Sequence, residues 1–132
     1  MNNTCSSILI VQSDLQRIVN FSQKCLEAGV DESSLYATVY VEDILGLLST
    51  KNISTIIVDA DFYNLETASI LKYFSEEKNL RVLLVTSNQF RKTIRMIMDK
   101  NLKYINPNIS ACDLNLVLNP TLCPLASKVV HL

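Results

Sequence analysis

Polar side chains able to do chemistry fall close behind four apolar runs of this chain. Gln12, Ser13 and Asp14 follow "ILIV" (8–11), and Asp59 and Asp61 follow "TIIV" (55–58). Thr86 and Ser87 follow "VLLV" (82–85), and Asn106 and Pro107 follow "LKYI" (102–105). If the runs are parallel strands, their carboxyl ends meet along one edge of a sheet, where open α/β folds build their sites. Asp14, Asp59 and Asp61 gathered there would suit a hard divalent cation such as Mg²⁺, or phosphoryl chemistry on one carboxylate. Residue types alone favour something plainer: a solvated or helix-capping loop for Asp59 and Asp61, and a turn with an N-cap for Thr86 and Ser87.

Other chemistries lack their parts. The only glycines are Gly29 and Gly46, far too isolated for a phosphate-cradling loop or a dinucleotide fingerprint. His131 is the single histidine and lies in the tail, so Ser-His, Cys-His and His-zinc sites are not expected. The chain reads as a non-enzyme. A formal net charge of -1 gives no overall pull toward phosphate backbones or anionic membranes. Cys5, Cys25, Cys112 and Cys123 show no Cys-x-x-Cys spacing and read as reduced thiols of a cytoplasmic protein. No apolar run approaches the about 20 residues of a membrane span, and the N-terminus lacks the charge pattern of a signal peptide.

The positioning elements follow from periodicity. With 132 residues, 48% hydrophobic and 19% charged, the chain has the size of one compact domain. The four apolar runs, with helical patterns between them, are the β-α alternation of a parallel sheet covered on both faces. "LYATVY" (35–40) alternates and fits a strand nearer an edge. Ser13, with Gln16 three residues on, predicts a capping box for a first helix with Ile18, Phe21, Cys25 and Leu26 inward and Gly29 at its stop. Further helices are expected at 42–49 (Ile44, Leu47 and Leu48 inward), 65–76 (Ala68, Leu71 and Phe74 inward), 89–99 (Phe90, Ile94 and Ile97 inward) and 111–118. Pro120 ends the last of these.

This order of elements resembles a bacterial response-regulator receiver domain, which implies a CheY-like (flavodoxin-like) five-stranded parallel sheet with helices on both faces over residues 1–118. In that family two acids after the first strand and an aspartate after the third hold Mg²⁺. The third-strand aspartate takes the phosphoryl group, a Thr or Ser ends strand four, and Lys-Pro follows strand five. By resemblance Asp59 stands at the phosphoacceptor position, Thr86 at the strand-four hydroxyl and Pro107 at the proline. The departures are chemical. Gln12 and Ser13 stand where the acidic pair belongs, with Asp14 one residue late and Asp61 nearby. Asn106 replaces the lysine, and Lys103 holds the place of the switch aromatic. The resemblance therefore implies a pseudo-receiver with Asp59 inactive, no cofactor and no Mg²⁺.

Residues 119–132 read as a linker or the start of an absent domain. "LCPLASKVVHL" (122–132) is similar to the opening of the LuxR/NarL-type helix-turn-helix, with Leu122, Pro124, Val129 and Leu132 in register. The two resemblances imply the regulatory domain of a transcription regulator similar to the RcsA/BglJ-like auxiliary regulators. Such a domain is expected to form homodimers or heterodimers with a response regulator, and to reach DNA only through the absent C-terminal domain. The expected dimer face includes Arg91, Lys92, Arg95 and Lys103. Two alternatives stay open: a phosphorylatable receiver using Asp59, and a receiver-like domain that senses a small ligand at the strand ends.

Overall fold

The computed structural model describes residues 7–86 and 102–118. The expected helix at 89–99, Ser87, Arg91, Lys92, Arg95 and the tail 119–132 lie outside the described residues.

Five strands, β1 (Ser7–Val11), β2 (Leu35–Thr38), β3 (Ile53–Asp59), β4 (Arg81–Val85) and β5 (Leu102–Ile105), form one sheet in the order β2-β1-β3-β4-β5. All four pairings are parallel. The described helices are α1 (Leu15–Glu27), α2 (Asp43–Thr50), α3 (Leu65–Lys78) and α4 (Ala111–Leu118). Among the described residues no helix is long and apolar enough to cross a membrane.

The continuous apolar runs are explained by burial on both faces, since alternate residues of one strand enter different cores. Leu9, Val11, Ile56, Val58, Val82 and Leu84 pack with Ile44 and Leu48 of α2 and Leu71 and Phe74 of α3. Ile8, Ile10, Ile57, Leu83 and Val85 pack with Ile18, Phe21 and Cys25 of α1 and Leu114 and Leu118 of α4. β2 lies at the sheet edge and its residues are only partly buried or exposed, in keeping with its alternating sequence.

Local chemistry sets the ends. α1 stops in a Schellman motif: Gly29 N–H donates to Leu26 O (3.0 Å) and Val30 N–H to Cys25 O (2.9 Å). Gly29 has φ +101°, a value only glycine adopts without strain. α3 runs to Lys78 rather than to 76, because Asn79 takes the left-handed conformation (φ 59°) that closes it. Two expectations for α1 are corrected. Its N-cap is Asp14, whose carboxylate accepts from Arg17 N–H at 2.9 Å, because the Ser13 N–H is already engaged by Asp59. Leu26 is exposed rather than inward, since it lies well round the helix from the Ile18-Phe21-Cys25 stripe.

Candidate functional site

Register builds the site. Val11 pairs with Val58, so Gln12 and Asp59 are the next residues of adjacent strands. Asp59 pairs with Val85, and the Thr86 N–H donates to Ile105 O at 3.0 Å, which aligns the ends of β3, β4 and β5. Asp59 shares its side of β3 with Ile57, which faces α1. A carboxylate at that point is aimed at the first turn of α1 rather than at solvent.

Asp59 is 1% exposed, so the expected solvated or capping loop is wrong for it. Its carboxylate accepts three hydrogen bonds: from Gln12 Nε2 to Oδ1 (3.0 Å), and from Ser13 N–H (3.0 Å) and Arg17 Nη1 (3.1 Å) to Oδ2. A buried carboxylate is costly unless paired and hydrogen-bonded, and this one is both. Gln12, also 1% exposed, explains half of the arrangement. A carboxylate at position 12 would face Asp59 with like charge, whereas the amide donates to it. Gln12 Oε1 is left as the one buried side-chain polar atom among the described residues without a hydrogen-bond partner.

Arg17 is the residue that sequence reasoning missed: it brings to Asp59 a cation from α1, whereas Asn106 stands in the place of the lysine. Its guanidinium is half-exposed, pairs with Asp59, and has Asp14 at 3.9 Å from Nε. The available signal was its place: the first turn of α1 contains no acidic residue, although helix N-termini favour anions and disfavour cations.

The remaining expected residues divide. Asp61 is exposed in the 3-10 turn Ala60–Phe62, and Thr86 is buried. With Arg17, Asp59, Ala60, Val85 and Pro107 they line an open pocket of about 280 Å³. Asp14 is spent on the α1 cap, and Asn106 Oδ1 accepts from Asn108 N–H (2.7 Å) in its own turn. Lys103 is exposed on β5, and Pro107 O accepts from Lys24 Nζ at 3.1 Å. Among the described residues no three His, Cys, Asp or Glu side chains come together in a group able to hold a metal ion.

No protein-family model matches this sequence, and no characterised protein matches it at a significant level. Solved structures do. A receiver domain protein from Clostridium thermocellum is similar with TM-score 0.71 at 15% identity, covering 96% of this chain and 99% of that one. The response regulator TrrA from Thermotoga maritima, a complex with Mg²⁺-BeF, gives 0.68 at 14% identity over 88% and 98%. A CheY-like receiver domain protein from Methanospirillum hungatei gives 0.65 at 15% identity over 95% and 99%. The chain has the response-regulator receiver fold. In the receiver fold the end of β3 is thus occupied here by an aspartate closed in by an amide, a backbone N–H and an arginine. At such low identities the likeness is one of architecture, and the chemistry of the pocket rests on this chain's own residues.

Proposed function

We propose that this chain is a receiver-like regulatory domain that works without phosphorylation, as a pairing module of a bacterial transcription regulator. One observation carries the reading: both oxygens of the buried Asp59 carboxylate are already engaged, Oδ1 by Gln12 and Oδ2 by Ser13 and Arg17. A phosphoryl group on Oδ2 would have to displace Arg17 and the Ser13 N–H. A divalent ion would have to displace the guanidinium and enter a site whose second acid is the amide Gln12. Mg²⁺ is hard, keeps several waters and takes one or two carboxylates, and here Asp59 is paired with Arg17 while Asp14 caps α1. Arg17 thus supplies permanently the positive charge that a metal would bring.

A scaffold relieved of its switch still presents surface for dimerisation, with itself or with a response regulator. The segment 122–132 supports placing the module in a LuxR/NarL-type regulator, cytoplasmic, with DNA contact assigned to a further domain. The test has two arms. Intact-mass measurement after acetyl phosphate and Mg²⁺ is expected to give no phosphoryl adduct. Sedimentation of the chain, alone and mixed with candidate response regulators, is expected to give a dimer with one of them or with itself. An adduct on Asp59, or a strict monomer that pairs with nothing, would overturn the reading.

A further inference from the structure

The outward face of α1 is built differently from an ordinary solvated helix. Leu15, Val19, Ser22 and Leu26 follow one another at spacings of four, three and four, the a/d seam of a helix pair. This seam is not the core stripe, because Ile18, Phe21 and Cys25 already fill that role. Leu15 is 71%, Val19 58% and Leu26 38% exposed, with the small Ser22 between them.

Charge is drawn away from this face. Arg17 turns to Asp59, and Lys24 turns to the carbonyl of Pro107. Beside the seam lie Gln16, hydrogen-bonded to Asn20 at 3.3 Å, and Gln23, hydrogen-bonded to Glu27 at 3.4 Å. Apolar residues flanked by amides, with the carboxylate of Glu27 at the rim, have the composition of an interface centre rather than of free surface. On a chain of net charge -1, two such faces meet without appreciable repulsion.

We infer that α1 pairs with α1 of a second copy of this chain, antiparallel about a two-fold axis midway between Asn20 and Phe21. The spacing of the seam is symmetric about that point. Leu15 then meets Leu26 of the second copy, and Val19 meets Ser22, each contact occurring twice as an isologous interface requires. Ser22 is small enough to let the helices approach closely beside the axis. The uncharged seam offers nothing to attract a charged partner, which favours its own copy as occupant. One 13-residue helix covers less than the roughly 800 Å² per partner of a standard interface, so the dimer is transient and concentration-dependent.

The inference rests on the pairing role proposed above and adds the face, the partner and the register. Sedimentation of the full chain across a concentration series is expected to show monomer and dimer in exchange. Val19→Lys and Ser22→Glu each bury a charge in the seam. Each should raise the dissociation constant at least about tenfold, equivalent to roughly 1.4 kcal/mol. Mixed in equal amounts they should associate again, since Lys at 19 then meets Glu at 22 across the axis. Circular dichroism checks that both variants keep the fold, as substitutions on exposed or half-buried positions should. A wild-type chain that stays monomeric overturns the inference. So does a dimer indifferent to Val19→Lys, which would leave the pairing role standing on another face. A mixture that fails to associate overturns the antiparallel arrangement.

Discussion

Arg17 occupies the one turn of α1 where a cation costs helix energy. Its compensation comes from Asp59, a carboxylate that burial would otherwise make expensive. Removing either partner therefore exposes the cost of the other. Arg17→Ala is expected to destabilise the fold by about 1–2 kcal/mol in urea unfolding, less than the ~3–5 kcal/mol of a fully buried pair because half of the guanidinium is in water. Asp59→Asn should cost less than Asp59→Ala, since the amide oxygen can still accept from Ser13. An equal loss for both would mean that the hydrogen bonds at this site carry no stability.

Cys25 shows the same logic in a single group. Burial pushes its thiol up to about 11 from the ordinary 9.0. The unfolded chain gives up that proton from about pH 9 while the folded chain keeps it, so alkali favours unfolding. The contribution of Cys25 to stability is whole below pH 9.0 and is lost as pH rises toward 11. Urea midpoints measured over that window should fall more steeply for the wild type than for Cys25→Ala. In native protein the exposed Cys112 should react with a thiol reagent while Cys25 does not.

At the scale of elements, most of the architecture was legible. The runs 8–11 and 82–85 are apolar at every position, and 55–58 at every one but the buried Thr55, because both sheet faces are covered, and periodicity identifies such segments. Ends were harder, because capping depends on which backbone groups are already engaged. Ser13 looked like the cap of α1, but its N–H belongs to Asp59 and the cap falls to Asp14. The polar Glu76–Lys78 carries no inward signal, and only the left-handed Asn79 shows that α3 reaches Lys78. Another end is held from outside its helix. Arg81, at the start of β4, donates from Nη1 to Leu118 O at 2.9 Å and from Nη2 to Val117 O, the last carbonyls of α4. Burial lowers its pKa, yet a guanidinium stays charged and suits a helix C-terminus. Arg81→Ala should speed amide exchange through α4 and cost about 1–2 kcal/mol. Unchanged exchange would show that α4 is held by Leu114 and Leu118 alone.

For the whole molecule, the order of the strands pointed to the end of β3 as the candidate corner but not to what closes it. Asp59 could be placed from the order of the strands. Arg17 could not, because it lies 42 residues from Asp59 and meets it only once the register turns that carboxylate toward α1. The receiver fold and the charge of its pocket thus part company: the scaffold is shared with TrrA, a response regulator whose structure is a complex with Mg²⁺-BeF, whereas here the carboxylate at the end of β3 is paired with an arginine of the same chain. Titrating the ¹⁵N-labelled chain with Mg²⁺ and beryllofluoride, while watching the Ser13 amide resonance and the ¹⁹F spectrum, tests this most directly. An unmoved Ser13 amide and only free beryllofluoride species are predicted. A saturable Ser13 shift with a protein-bound fluorine signal would contradict the account.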